Sequence, residues 1–118
     1  LDGAKFFAPF PGWVDRNKFD TEFDKAFAAI YGGNSDDFVW LGWGASKQLA
    51  QLLENAGASL TREGFIAATE KVKNLKTGIM PTLNFAPNDH LGANEVHVNE
   101  ARCGDSRWHT IQSFVSDF

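Results

Sequence analysis

The longest run of periodic apolar positions in this chain lies between Phe38 and Ala56. There Leu41, Ala45, Leu49, Leu52, Leu53 and Ala56 recur every three or four residues, which puts them on one face of a helix. Gln48, Gln51 and Glu54 fall on the opposite, wet side. Asp36 or Asp37 stands where a cap for the first turn is expected, and Gly57 stands where the helix should end. The amino end of this segment differs from its body. Phe38, Trp40 and Trp43 place three large aromatics within six residues, beside Gly42 and Gly44. Glycine inside a helix costs about 1 kcal/mol relative to alanine, so the pair implies that another backbone or a ligand comes close. The bland expectation for each aromatic is a place in the core; Phe38 is also the leading candidate for a ligand contact.

The flanking segments follow the same logic. Lys5 to Ala8 predicts a short strand, stopped by Pro9 and Pro11. Phe19 to Tyr31 predicts a helix with Phe23, Phe27, Ile30 and Tyr31 on one face, Asp20 or Thr21 with Asp24 at its start, and Gly32 and Gly33 at its end. Asn34 to Asp37 is then a polar loop. A third helix is expected from Thr61 to about Lys73. Thr61 is its N-cap, Leu60 and Phe65 have the spacing of a hydrophobic staple, and Phe65, Ala68, Thr69 and Val72 face inward. The period then changes. Thr82 to Phe85 reads as extended, closed by the turn residues Pro87, Asn88 and Asp89. Glu95 to Ala101 alternates, with Val96 and Val98 on one face and His97 and Asn99 on the other. Cys103 to Ser106 reads as a turn and Trp108 to Val115 as a last strand. These strands are too few and short to cover three helical faces, and helices that bury one stripe need a partner layer.

Composition narrows the function classes. With 118 residues there is room for one domain, and a 43% apolar fraction can supply a core. The net charge of −4 and the pI near 5.2 argue against a nucleic-acid or anionic-membrane surface. The single cysteine, Cys103, excludes an internal disulfide. No apolar run reaches the length of a membrane span. The chain opens Leu-Asp-Gly with no Met and no signal-peptide pattern, so a piece of a longer polypeptide is expected.

Catalytic motifs are thin. His90 follows Asp89, but no activated nucleophile is marked near it. His90, His97 and His109 lack zinc-ligand spacing and are expected on loops or the surface. Gly42 and Gly44 do not complete a phosphate-binding glycine loop. Neither a catalytic set, a metal site nor a cofactor is expected.

A resemblance emerges at TGIMPTLNFAPNDHLG (Thr77 to Gly92), taken with the helix opening LTREGFIAATEKVKNL before it and the alternating strand after it. Together with FVWLGWGASKQLAQLL and GAKFFAPFPGW, this order resembles the carboxy-terminal part of the periplasmic ligand-binding proteins of the branched-chain amino-acid ABC-transporter family. The resemblance spans nearly all 118 residues. It implies an α/β chain, the C-terminal fragment of a type I bilobal fold whose lobes close on a ligand by a hinge. Residues 1–15 would be the inter-lobe connector, 16–76 the helical part of mostly one lobe, and 77–118 short strands and the return crossover. The implied function is a non-enzymatic solute-binding component of an importer. Its ligand would be a branched-chain or related amino acid or an aromatic acid, its partner a membrane permease and its location the periplasm. Phe38 matches the aromatic that lines the family's apolar pocket, with Trp40 and Trp43 as weaker candidates, and Asp89 is expected to fix its own turn. The alternatives are a ligand-sensing regulatory domain of the same fold or a small stand-alone α/β enzyme. An isolated chain of this kind is expected to form a homo-oligomer through its uncovered helical faces.

Overall fold

The computed structural model describes residues 1–30 and 37–116, and mixes helices with a small antiparallel sheet. In order come strand β1 (Lys5–Ala8), a 3-10 helix (Trp13–Lys18), α1 (Phe23–Ile30), α2 (Asp37–Ala56), α3 (Arg62–Thr69), and strands β2 (Val96–Arg102) and β3 (Arg107–Val115). The readings that fall on Tyr31 to Asp36, including the glycine stop and an Asp36 cap, lie outside the described residues.

Local signals set most boundaries. Gly57 ends α2 with φ of +81°, its N–H donating to the Leu53 and Glu54 carbonyls. Thr61 caps α3, its hydroxyl accepting from the Gly64 N–H at 3.0 Å. Two helices are shorter than their periodicity predicts. α1 starts at Phe23 rather than Phe19, because the Phe19 and Asp20 N–H groups are already spent on the Arg16 carbonyl and the Asp20 carboxylate accepts from the Glu22 N–H. α3 stops at Thr69 rather than Lys73, because Val72 turns away to accept from the Phe85 N–H and become buried. Thr82 to Phe85 forms no strand. Leu83 makes a single bridge with Leu75, and Ala86 bridges Asp89 across the expected Pro87–Asn88 turn.

The sheet order is β1-β2-β3, all antiparallel. β2 and β3 form a hairpin around Cys103–Ser106, and the first strand of the chain pairs with β2 in a register that sets Lys5 opposite Glu100 and Ala8 opposite His97. The sheet packs on the 3-10 helix, while α3 packs on α2. Asn99 ties the sheet to the connector. Its Oδ1 accepts from the Gly12 N–H and the Thr110 hydroxyl, both at 3.0 Å, and its Nδ2 donates to the Phe10 carbonyl. Asp15, on the 3-10 helix, accepts from the Thr110 N–H at 2.7 Å.

Three sequence expectations are corrected here. The face of α2 that goes inside is Trp40, Gly44 and Gln48, not the leucine stripe: Leu49 is 52% and Leu53 39% exposed. Trp40 brings a large apolar ring to this side, and glycine at 44 lets Ile79 and Met80 close on it. Gln48 was expected to be wet but is buried, and its amide donates to the Pro81 carbonyl at 3.0 Å. His97, expected at the surface, is fully buried with Asn99, because β2 is the central strand and is covered on both faces.

The core is small: Phe23, Trp40 and Ile79, with Phe10, Trp13, Phe19, Phe27, Trp43 and Met80 around them. The body measures 51 × 38 × 18 Å with a radius of gyration of 16.1 Å, against about 13.5 Å for a compact chain of this length. Its accessible surface is 7534 Å², about 1,200 Å² above the roughly 6,300 Å² expected of a monomer of its mass.

Candidate functional site

The aromatic amino end of α2 and the polar cluster beneath it form the most developed constellation of side chains. A helix turns about 100° per residue, so Phe38, Trp40 and Trp43 cannot share one direction. Phe38 points outward and is 80% exposed. Trp40 is fully enclosed, its ring edge-on to Phe23 with centroids 4.7 Å apart. Its indole N–H is buried with no hydrogen-bond partner among the described residues. Trp43 lies between these extremes, half-buried, 5.6 Å from Phe23. The structure therefore does not bring the three predicted ligand contacts together on one surface. Phe38 and Trp43 present area to solvent, and Trp40 presents none.

The flanking glycines have different explanations. A Cβ on Gly44 would sit 2.5 Å from Met80 Cγ and 2.7 Å from Ile79 Cδ1 and Cγ1, so the neighbour that requires glycine is a pair of side chains, neither backbone nor ligand. Among the described residues, a Cβ on Gly42 would meet nothing within 4 Å.

Beneath Trp43 lies a carboxylate that the periodicity assigned only to a helix start. Asp20 is buried, and its Oδ2 accepts from the Trp43 indole N–H at 2.9 Å and the Lys47 ammonium at 2.8 Å, while its Oδ1 accepts from the Glu22 N–H. Burial alone would raise the pKa of Asp20. The hydrogen bonds from Lys47, Trp43 and Glu22 outweigh it and hold the carboxyl below the usual range. The same bond to Asp20 raises the pKa of Lys47. Lys47 also reaches Glu22 at 3.3 Å and stands 5.8 Å over the Trp43 ring, within cation–π range. A cavity of about 460 Å³ opens beside this cluster, lined by Thr21, Glu22, Lys47, Gln51, Lys76 and Thr77 among others. The sequence signal for the cluster was Trp43 and Lys47, four residues apart on one face of α2; nothing local named Asp20 as their partner. Chemically the arrangement fixes side chains. Each donor meets an acceptor, so the helix end and the segment before α1 are locked together.

Three histidines occupy three environments. His90 faces Glu70 at 3.0 Å and His109 faces Asp105 at 2.6 Å, both exposed pairs. His97 is buried; Nε2 must carry the proton, since it faces the Ile79 carbonyl at 3.1 Å, and Nδ1 has no partner among the described residues. Burial lowers the pKa of His97 and keeps the ring neutral. Asp89 accepts from the Leu91 N–H at 3.2 Å, as its position in the turn suggested. Cys103 is an exposed free thiol in the β2–β3 turn. Among the described residues no group of three His, Cys, Asp or Glu side chains is arranged to hold a metal ion, and no helix is long and apolar enough to cross a membrane. No family model, curated protein or solved structure matches this chain.

Proposed function

We propose that this chain is the C-terminal part of a type I bilobal periplasmic binding protein of the branched-chain amino-acid ABC-transporter type. It would act without catalysis as the solute-binding component of an importer. In this reading residues 1–15 cross between the lobes, 16–76 belong to one lobe, and 77–118 carry the return.

The observation that carries the reading is the state of α2. This helix buries Trp40, Gly44 and Gln48 on one side, yet its leucine stripe, with Leu49 and Leu53, remains exposed. An α/β lobe sandwiches such a helix between its neighbours and a parallel sheet, and the surface in excess of a compact monomer is of the size one such layer covers. The motif order from the aromatic helix start through NFAPNDHLG supplies the family, and Phe38 on the open side of α2 supplies a pocket wall. The ligand is a small organic solute, a branched-chain or related amino acid or an aromatic acid, and a membrane permease receives it.

The test is to express the longer reading frame that contains this segment and to titrate amino acids and aromatic acids by calorimetry. One-to-one binding that Phe38→Ala weakens more than Trp108→Ala is the expected result. Unchanged affinity in Phe38→Ala removes Phe38 from the site. A parent that turns its ligand over, or that binds DNA through a separate domain, replaces the importer reading with the enzyme or the regulator.

A further inference from the structure

A concavity of about 810 Å³ lies where α3 leads into residues 70–76. Asn55, Ala67, Lys71, Lys73, Asn74 and Lys76 are among its lining residues, and no Asp or Glu lines it. That is unexpected on a chain of net charge −4. Some cations are matched at home, Arg16 with Asp24, Lys18 with Asp15, Lys47 with Asp20 and Glu22, while Lys5, Lys25, Arg62 and Arg107 lie outside the lining of this concavity. The Lys71 and Lys76 ammonium groups have no ion-pair or hydrogen-bond partner among the described residues. Lys73 donates to the Phe85 carbonyl at 2.6 Å, which leaves its remaining N–H donors free.

The backbone that carries these lysines is irregular but fixed. Leu75 exchanges two hydrogen bonds with Leu83 at 3.0 and 2.9 Å, the Asn74 N–H donates to Asn84 Oδ1 at 2.9 Å, and the Phe85 N–H donates to the Val72 carbonyl at 3.0 Å. Asn74 is held in the left-handed region at φ of 54°, a conformation asparagine tolerates better than most residues. Cations on a rigid scaffold lose less on binding than cations on a mobile loop.

We propose that this groove is a docking surface for an acidic segment of a partner protein. The inference is independent of the importer reading. The lysines span up to about 16 Å of chain at the rise of an extended segment, several times the size of one phosphate group and matched to a run of carboxylates. Lysine is a point charge and not the fork that selects phosphate, and no arginine lines the groove. No aromatic lines it either, so unpaired bases would find nothing to stack on.

The experiment is fluorescence anisotropy with a labelled peptide of alternating Glu and Gly on the full chain, against the matched Gln peptide. Binding is expected to weaken steeply with salt between roughly 0.05 and 0.3 M. Lys71→Glu with Lys76→Glu should weaken it about tenfold or more, Lys71→Arg with Lys76→Arg by no more than about threefold, and Lys5→Glu with Lys25→Glu, outside the groove, by no more than about twofold. Circular dichroism melts check the fold of each variant, and Lys71→Gln with Lys76→Gln substitutes if the reversals unfold. Equal loss in the control pair, equal affinity for the Gln peptide, or tighter binding of pyrophosphate or a single-stranded oligonucleotide than of the acidic peptide each overturns the proposal.

Discussion

Gly42 and Gly44 are two residues apart on one helix, and alanine should have opposite effects at them. At either site alanine improves the helix by about 1 kcal/mol. At Gly42 no described residue stands within 4 Å of the new methyl, so the gain should appear almost whole. At Gly44 the methyl would lie 2.5 to 2.7 Å from Met80 and Ile79 atoms. Met80 is flexible and can swing aside. Ile79 is fully buried against Phe23 and Trp40, and its carbonyl holds His97, so it has little freedom to retreat. Overpacking of this kind costs about 1–3 kcal/mol, occasionally more. The expected balance is a net loss of up to about 2 kcal/mol for Gly44→Ala, after the helix gain is subtracted. Gly42→Ala should gain about 0.5–1 kcal/mol. In a domain of this size the two should differ in midpoint temperature by several degrees, about 4–8 °C per kcal/mol at the small end of the scale. Urea unfolding followed by tryptophan fluorescence reads both, with the slope checked for constancy. Ile79→Val in the Gly44→Ala background should restore part of the loss. If Gly44→Ala stabilises as much as Gly42→Ala, α2 does not sit on Ile79 and the packing described here is wrong.

Trp40→Ala should cost about 3–5 kcal/mol, while Phe38→Ala, at an 80% exposed position, should stay within about 0.5 kcal/mol; urea midpoints of both variants decide. Because burial lowers the pKa of His97 in the folded chain, the unfolded state takes up a proton below about pH 6.5 that the native state refuses. Stability should therefore be intact above that pH and fall as pH drops, by up to about 1.4 kcal/mol per unit. A His97→Gln variant should lose that component of the slope between pH 7.5 and 5.5, and an unchanged slope would show that His97 is not buried. The exposed leucines of α2 should make the isolated chain associate as its concentration rises. Light scattering should show the shift, and Leu49→Gln with Leu53→Gln should return the chain to a 13.0 kDa species.

What the sequence determined by itself is what neighbouring residues decide. The span of α2, its stop at Gly57, the Thr61 cap, the Pro87–Asn88 turn and the β2–β3 hairpin each depend on hydrogen bonds or dihedral preferences within a few residues, so the pattern of apolar, capping and turn residues sufficed. The crowding of aromatics at the start of α2 was legible in the same way. Only the tertiary structure decided which of them is core and which is surface. Helical periodicity pointed to the leucine stripe, but a helix has more than one apolar side, and the segment from Ile79 to Pro81 chose the side of Trp40, Gly44 and Gln48. The pairing of β1 with β2 joins positions about ninety residues apart, and it buries His97 and Asn99, which the alternating pattern had only set on the face opposite Val96 and Val98. Asp20 looked like a helix cap because capping is a local role; its partners Trp43 and Lys47 lie on another helix, and a carboxylate takes the donors that folding delivers to it.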